Sequence, residues 1–362
     1  MLRRRAGQQP NPRTVSMPTD LITVPAARRA AIERLAPELV AGRRVAISTH
    51  LNADGDGCGS ESALARLLAA QGLVPRIVNP TPWPDMFDFL LGEDVDDRTS
   101  RGSKALRDVD LLIVLDISDV KRLGNLAETV RALTIPKLVI DHHEPSSDPA
   151  GSVVVSDTSA CATAELVYDL AIVLGWEITP TVARSLYTGM LTDTGGFRFS
   201  NTSPRCLTVA GQLLACGVDP EDMYTRIYAS APAGRVRLMA EVLSTLQVDE
   251  AHGLAWLTIG ADALERHGVK SEDLDGIVEH ARSIAGTRMA LLFRDLGHGK
   301  VKVSFRSVGG TDVNAFARKF GGGGHAKASG AMLPGTLDEV RDSVVEAARA
   351  TLTSEPSAAA RG

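Results

Sequence analysis

Several features are scarce or missing in this 362-residue sequence, and each absence excludes a class of protein. No run of about 18 apolar residues occurs, which excludes a membrane-spanning helix. The four cysteines form no C-x-x-C pair, which disfavours a disulfide framework or a thiolate zinc site and fits a reducing cytoplasm. Positive charge is not in excess: 39 basic and 44 acidic residues give a net charge of −5. A protein that coats long nucleic acid is therefore disfavoured, whereas a local pocket for a small phosphate-bearing substrate is not.

The length predicts two domains. Residues 1–22 and 354–362 are polar and low in large apolar side chains, so both tails are predicted to be disordered, with Met17 as a candidate alternative start. Between them we predict a larger domain over residues 23–215, a helical linker over 216–250 and a smaller α/β domain over 251–353.

In the larger domain, short β-branched apolar runs alternate with helical patterns, which predicts a doubly wound, mostly parallel sheet. The expected strands are Arg43–Thr49, Val74–Asn79, Asp110–Leu115 and Lys137–Ile140, and the expected helices are Glu61–Ala70, Ala162–Leu174 and Thr181–Leu191. A helical stretch is expected over Pro220–Leu246. The smaller domain that follows is expected to hold strands at Leu254–Ile259, Met289–Arg294 and Lys300–Phe305 and a helix at Asp312–Lys319. Its last helix is expected to begin with a capping box formed by Thr336 and Glu339.

Charged and imidazole side chains follow three of these predicted strands, at the point where each strand ends. They are His50, Asp54 and Asp56 after the first strand, Asp116 after the third, and Asp141, His142 and His143 after the fourth. Taken singly, an aspartate after a strand is commonly a turn residue or a helix cap. Ligands bind at the carboxyl edge of parallel sheets, so together these groups are expected to converge in one crevice. So many carboxylates would repel one another unless cations lay among them.

The donor types indicate which cations these would be. Carboxylate and imidazole without thiolate favour Mn²⁺ or a similar ion over structural zinc. Asp193, at the end of a predicted helix, supplies a further carboxylate; a negative charge there is disfavoured by the helix dipole, which suggests a functional position. The glycines on either side of Asp56 are expected to let the backbone bend, so that Asp54 and Asp56 face one centre.

These separated motifs, in this order, resemble those of the DHH-family phosphoesterases. The run Gly321–Gly330, GGGGHAKASG, resembles the signature of the accompanying DHHA1 domain. The resemblance implies two divalent ions, with Mn²⁺ expected and Mg²⁺ as the alternative. It assigns His50 and Asp54 to one ion, Asp56, His142 and Asp193 to the other, and Asp116 to both. It also implies that Asp141 orients a neighbouring imidazole and that His143 faces the substrate phosphate.

The smaller domain is predicted to hold the substrate. By composition alone, four consecutive glycines favour a flexible hinge. The resemblance instead implies that Gly322, Gly323, Gly324 and His325 bind a phosphate or ribose through open backbone N–H groups. Arg306, at the end of a strand, is predicted to bind a phosphate bidentately, and Arg198 in the larger domain is a similar candidate. Phe197 and Phe199 are candidates either for stacking on a base or for ordinary core packing.

The resemblance implies a metal-dependent phosphodiesterase that cleaves short oligoribonucleotides such as pApA to mononucleotides through a hydroxide shared by two metals. Adenosine 3′,5′-bisphosphate (pAp) and cyclic di-AMP are further candidate substrates. The alternatives are an inorganic pyrophosphatase, a RecJ-like single-strand exonuclease, or a catalytically silent nucleotide-binding protein. The expected partners are short RNA or small adenine nucleotides, without long duplexes or a membrane, and a second copy of the chain in a homodimer.

Overall fold

The computed structural model describes residues 21–274 and 276–354, apart from the side chains of Glu272 and His325. Apart from residues 21, 22 and 354, the predicted disordered tails lie outside the described residues, as does the candidate start at Met17. The chain divides into two compact units between Ala229 and Ser230, a point inside the predicted linker over 216–250. Within the described ranges, none of the helices has both the length and the hydropathy that crossing a bilayer requires.

The first unit contains a five-stranded sheet in which every pair of neighbours is parallel. Its order is β2-β1-β3-β4-β5, which confirms the predicted doubly wound α/β fold. The strands are β1 (Arg44–Ser48), β2 (Val74–Ile77), β3 (Leu111–Leu115), β4 (Lys137–Asp141) and β5 (Val153–Ser156). Strand β5 was not predicted; it is a four-residue edge strand that is fully buried only at Val155. Because Val153 and Val154 are only partly buried, β5 lacks the continuous buried run that marks β3 and β4.

Alternate side chains of the strands pack into two different cores. In β1, Val45 and Ile47 join one core and Ala46 joins the other. Both cores are apolar, so the strands read as continuous hydrophobic runs. The larger core is covered by α1 (Ala26–Leu35), α2 (Gly55–Ala70), α4 (Thr163–Leu174), α5 (Pro180–Asp193), α6 (Pro204–Ala215) and α7 (Pro220–Tyr228). The smaller core is covered by α3 (Ala127–Ala132) and by 3₁₀ segments at Thr99–Leu106 and Val120–Leu126.

The second unit contains a six-stranded mixed sheet in the order β10-β11-β9-β8-β7-β6, in which only β7 and β8 are parallel. Its strands are β6 (Gln247–Asp249), β7 (Leu254–Ile259), β8 (Met289–Asp295), β9 (Lys300–Ser307), β10 (Gly323–His325) and β11 (Ala328–Pro334). Its helices are α8 (Ala233–Ser244), α9 (Ala263–His267), α10 (Ile277–Arg282), α11 (Val313–Arg318) and α12 (Leu337–Ser354).

Of two predictions about helices, one is confirmed by the structure and the other is wrong. The capping box before α12 is confirmed: the Thr336 N–H donates to Glu339 Oε2 at 3.0 Å, and the Glu339 N–H donates to Thr336 Oγ1 at 3.4 Å. The single helical stretch over 220–246 is wrong, because it is broken between α7 and α8. Pro232 precedes α8, and proline cannot donate the backbone hydrogen bond that a continuous helix would need there.

The last two glycines of the four-glycine run belong to the second sheet. Gly323–His325 pairs antiparallel with β11. A Cβ on Gly322 would lie 2.2 Å from the Gly330 carbonyl oxygen, and one on Gly324 would lie 2.6 Å from that of Ala328. The expectation of a flexible hinge is therefore wrong, since glycine is needed here to let two backbones approach closely.

Candidate metal centre

The polar side chains that follow β1, β3 and β4 meet at one edge of the first sheet. The strand order reverses between β1 and β3, and in open α/β sheets such a reversal leaves a crevice at the carboxyl ends of the strands. The last residue of α5, Asp193, reaches the same place. The structure thus brings together all six predicted ligands, as two groups in which the ligand atoms lie within 4.8 Å of one another: His50, Asp54 and Asp116; and Asp56, His142 and Asp193.

In the first group, the His50 ring faces two carboxylates. Its Nε2 lies 3.4 Å from Asp116 Oδ2 and 3.7 Å from Asp54 Oδ2. Its Nδ1 donates to the Leu51 carbonyl at 2.9 Å, which fixes the ring and leaves Nε2 as the inward atom. Asp54 also caps α2, because its Oδ1 accepts from the N–H groups of Asp56 and Gly57.

In the second group, the His142 ring faces three carboxylates. Its Nε2 lies 3.5 Å from Asp116 Oδ1, 3.6 Å from Asp193 Oδ2 and 3.8 Å from Asp56 Oδ2. The two oxygens of Asp116 therefore face different histidines. Asp116 is buried and has a left-handed backbone with φ of 62°, a conformation that costs a non-glycine residue about 1–2 kcal/mol. Such strain is often retained where a side chain must be aimed at a functional centre.

The buried donor atoms fit divalent metal ions. His50 Nε2 and His142 Nε2 are both buried without a hydrogen-bond partner among the described residues. Their distances to the carboxylate oxygens, from 3.4 to 3.8 Å, are longer than direct hydrogen bonds. Imidazole and carboxylate donors without thiolate suit Mn²⁺, Mg²⁺ or similar ions. These two groups of donors could therefore each hold one divalent ion.

The pKa values of the first group show how strongly its members interact. Burial lowers the pKa of His50, but the carboxylates of Asp116 and Asp54 outweigh this effect and raise it to about 10. Burial raises the pKa of Asp54, but the contact with His50 and two backbone N–H groups outweigh it and lower the value to about 2. In the metal-free protein, His50 is therefore protonated at neutral pH and must lose that proton before Nε2 can bind a metal.

The second group holds more negative charge than its surroundings neutralise. The pKa of Asp56 is raised well above its usual range by burial and by the charges of Asp116, Asp193 and Asp54. The pKa of Asp193 is raised to about 6, by burial first; His142 opposes this rise, and Asp116 adds to it. Like charges held in one place favour binding of a cation.

His143 lies beside both groups and is held by Asp141. Asp141 is buried, and its Oδ1 accepts a hydrogen bond of 2.8 Å from His143 Nδ1. This hydrogen bond raises the pKa of His143. The His143 side chain is 42% exposed, so it can meet a ligand. His143 Nδ1 is also 3.7 Å from Asp116 Oδ1, but its proton is committed to Asp141. Asp116, His142 and His143 form a third group whose atoms could hold a metal ion, but the hydrogen bond to Asp141 favours His143 as a hydrogen-bond donor.

Several residues that were not predicted hold these carboxylates in place. The backbone N–H groups of Thr163 and Ala164 donate to the two oxygens of Asp56 at 2.6 and 2.9 Å. The Thr163 hydroxyl donates to Asp116 Oδ1 at 3.0 Å. The Asn201 amide donates to Asp193 Oδ2 at 3.3 Å. Thr163 lies at the start of a predicted helix, where backbone N–H groups attract anions. Its contact with a carboxylate could therefore have been predicted from the sequence. No pattern in the sequence pointed to Asn201.

The glycines beside Asp56 serve close packing. Asp56 lies inside α2, and neither Gly55 nor Gly57 has a positive φ, so the predicted backbone bend is wrong. A Cβ on Gly55 would overlap the side chain of Thr192 in α5, and one on Gly57 would lie 2.9 Å from Thr49 Oγ1. The missing side chains let the start of α2 pack tightly against α5 and the end of β1.

Three residues after Asp193 were candidates for substrate contacts. Arg198 Nε donates to the Gly195 carbonyl at 2.6 Å. Phe197 is partly buried and packs with Tyr187 against the larger core. Phe199 is 57% exposed and lies against Gly195, where any Cβ would overlap its ring.

The second unit carries the remaining predicted substrate contacts. Arg306 Nε donates to Glu279 Oε1 at 3.1 Å, and its Nη1 donates to the Phe305 carbonyl at 3.0 Å. Its side chain is 30% exposed. Gly322 lies beside β11, and Gly323, Gly324 and His325 form β10, with the His325 side chain outside the described part. The nearest atom to a Cβ on Gly323 is Asn314 Oδ1, at 3.9 Å.

The chain matches two protein-family models and several known proteins. Residues 44–190 match the model of the DHH family N-terminal domain, and residues 255–354 match that of the DHHA1 domain. The bifunctional oligoribonuclease and PAP phosphatase NrnA of Thermus thermophilus is 37% identical over 309 residues, which cover 85% of this chain and 90% of that protein. The Bacillus subtilis protein of the same name is 30% identical, covering 80% and 89%.

Solved structures agree with this result. An exopolyphosphatase-related protein from Bacteroides fragilis has a TM-score of 0.80 at 28% identity, covering 90% of this chain and 98% of that one. RecJ of Thermus thermophilus in complex with Mn²⁺ has a TM-score of 0.53 at 17% identity, covering 93% of this chain but 56% of that one. The likeness to RecJ, at 17% identity, shows a shared fold and nothing further.

Proposed function

Because this chain belongs to the DHH family, we propose that it is a divalent-metal-dependent phosphodiesterase that hydrolyses short oligoribonucleotides to mononucleotides and also hydrolyses pAp. The single observation that carries the proposal is the pair of histidine–carboxylate groups, between which the two oxygens of Asp116 face the histidine of each group. The names of the Thermus thermophilus and Bacillus subtilis relatives, which this chain matches over most of their length, supply the substrate class.

The proposed ligands are His50 and Asp54 for one ion, Asp56, His142 and Asp193 for the other, and Asp116 for both. Bound there, two divalent ions would activate water and offset the negative charge that grows on a phosphoryl group. His143 is the proposed catalytic donor to a phosphoryl oxygen. Asp141 holds its Nδ1–H, so Nε2 is the nitrogen left to meet the substrate.

The second unit is proposed to bind the substrate. Its proposed contacts are Arg306 together with Gly322, Gly323, Gly324 and His325, and Arg198 is a proposed contact of the first unit. Arg306 already has a carboxylate partner in Glu279, which holds its guanidinium at Nε. A guanidinium oriented in this way loses less conformational freedom when it binds a phosphate.

Further parts of the proposal concern the ion, the assembly and the location. Mn²⁺ is the proposed ion, with Mg²⁺ as the alternative, because the donors combine imidazole with several carboxylates. The protein is proposed to act as a homodimer in the cytoplasm. A cytoplasmic location agrees with four cysteines that are all free thiols.

Three other functions are disfavoured. An inorganic pyrophosphatase has no need of a nucleotide-binding unit that carries the GGGGH run. A RecJ-like exonuclease is disfavoured because the relatives at 30–37% identity are named oligoribonuclease and PAP phosphatase, whereas the likeness to RecJ, at 17% identity, is one of fold. A silent nucleotide-binding protein has no need of an intact set of clustered carboxylates. Cyclic di-AMP remains a further candidate substrate of the proposed enzyme.

The test is a substrate panel with the purified protein, with Mn²⁺ added or removed by EDTA. We expect pApA to yield two AMP and pAp to yield AMP and phosphate, each only with metal present. Asp116→Ala should abolish both reactions, whereas Asp108→Ala, which removes an exposed carboxylate elsewhere in the unit, should leave them unchanged. Phosphate release from pyrophosphate alone, or tight nucleotide binding without turnover, would refute the proposal.

A further inference from the structure

Thr163, which is not a proposed metal ligand, contacts Asp116, the carboxylate proposed to bind both metal ions. Thr163 is fully buried at the first position of α4. Its hydroxyl donates to Asp116 Oδ1 at 3.0 Å, and its backbone N–H donates to Asp56 Oδ2 at 2.6 Å. A single residue therefore holds two of the clustered carboxylates, one through the side chain and one through the backbone.

The hydroxyl is not needed to begin the helix. The residue before it, Ala162, provides no side-chain cap, and the Thr163 hydroxyl turns to Asp116 rather than to a backbone group of its own helix. Threonine also has a poorer helix propensity than alanine. Its place here is explained by the contact with Asp116.

The start of α4 is held rigidly, so this contact is a fixed one. The Cys161 N–H donates to Glu165 Oε2 at 2.9 Å, which ties the segment before the helix to the first turn. Glu165 is itself paired with Arg28 and Arg205, and Arg28 also pairs with Asp169 one turn later. This cluster of charges is buried at Arg28, Glu165 and Asp169, and it holds the first turns of α4 in place.

We propose that Thr163 is a positioning residue for Asp116: its hydroxyl holds Oδ1 toward His142 and thereby keeps Oδ2 toward His50. The inference rests on the proposed function, in which Asp116 is the ligand that two metal ions share. A carboxylate that must face two centres at once has to be held in one rotation about its Cβ–Cγ bond. The hydroxyl is the donor that fixes this rotation, because the two histidine Nε2 atoms lie at 3.4 and 3.5 Å, beyond a good hydrogen bond.

The experiment replaces the hydroxyl and leaves the backbone in place. Thr163→Val is isosteric and keeps the N–H that binds Asp56, Thr163→Ala removes the hydroxyl without the bulk, and Thr163→Ser restores it. Thr188→Val is the matched control, because Thr188 is equally buried but donates to the Arg184 carbonyl of its own helix. Mn²⁺ binding to the metal-free proteins is measured by calorimetric titration, and their folding is checked by thermal unfolding in EDTA.

We expect Thr163→Val and Thr163→Ala to weaken Mn²⁺ binding by about 10- to 100-fold, the usual effect of removing a residue that orients a metal ligand. Thr163→Ser should bind within about threefold of the parent, and Thr188→Val should match the parent. Parent-like Mn²⁺ affinity in a folded Thr163→Val or Thr163→Ala protein would overturn the inference. A parent protein that bound no Mn²⁺ would instead refute the proposed function. The two failures are therefore distinguishable.

Discussion

Replacing Asp193 with asparagine should stabilise the metal-free protein and weaken its binding of metal. Asp193 Oδ2 lies with ligand atoms of Asp56 and His142 inside a 4.8 Å group. The asparagine side chain would keep the shape of the aspartate and could still accept the hydrogen bond from the Asn201 amide. The substitution therefore removes little besides one negative charge from a crowded set of carboxylates.

The size of the gain can be worked out in two ways. Burial and the charge of Asp116, opposed by His142, raise the pKa of Asp193 to about 6 from its usual 3.8, and about two pKa units correspond to about 3 kcal/mol at pH 7. Two unit charges about 5 Å apart at an effective dielectric of about 20 also repel by about 3 kcal/mol. Asp56 takes up protons readily and so relieves part of this repulsion. We expect a gain of about 1–3 kcal/mol in the free energy of unfolding.

The assay is urea unfolding in EDTA, followed by tryptophan fluorescence in a Trp256→Phe background. The remaining tryptophans, Trp83 and Trp176, both belong to the first unit. The parent should gain stability when Mn²⁺ is added, and Asp193→Asn should gain much less. A variant that is less stable than the parent in EDTA, or that keeps the full Mn²⁺-induced gain, would refute the reasoning.

The pH dependence of the same difference has a definite sign. The pKa of Asp193 is higher in the folded state than in the unfolded state, so its ionisation destabilises the fold above a pH of about 6. As the pH falls from 7 to 4, the folded parent takes up this proton first and the advantage of Asp193→Asn should shrink to about 1 kcal/mol or less. An advantage that stayed constant across this range would contradict the assigned cause.

Two further predictions concern arginines. Arg306→Ala should raise the KM for pApA by about 5- to 100-fold because it removes a charge-assisted hydrogen bond to phosphate, and kcat and bound Mn²⁺ should not change. Lys300→Ala on the same strand is the control. Loss of bound Mn²⁺ in Arg306→Ala would contradict the assignment. Arg28→Leu should lower the free energy of unfolding by about 3–5 kcal/mol, because it leaves buried carboxylates unpaired, as urea unfolding in EDTA would measure. The same change at Arg43, whose ion pair is about one-third exposed, should cost about 1 kcal/mol or less, and equal losses would refute the argument.

The main elements of the fold could be predicted because each has a local pattern. Strands β3 and β4 are continuous apolar runs, and alternate residues of β1, β3 and β4 fill two cores. The capping box of Thr336 and Glu339 is a pattern of four residues. The edge strand β5 lacks the continuous buried run that marks β3 and β4, and the break at Pro232 was hidden within a longer helical pattern.

The crevice residues could be predicted for a topological reason. Parallel strands end at one edge, so polar groups that follow three apolar strands must gather there whatever the details of packing. Asp193 stood out because a negative charge at a helix C-terminus is locally unfavourable. These inferences needed only the order of elements along the chain.

The sequence by itself determined the doubly wound sheet and the set of acidic and imidazole groups at its carboxyl edge, because both follow from periodicity and strand ends. Only the tertiary structure decided that the Thr163 hydroxyl reaches Asp116, that Glu279 holds Arg306, and that the glycines of the GGGGH run allow two backbones to pair. The physical reason is that the first two contacts join segments 47 and 27 residues apart in the chain, and the third depends on how closely two neighbouring strands approach; no local pattern records such packing distances.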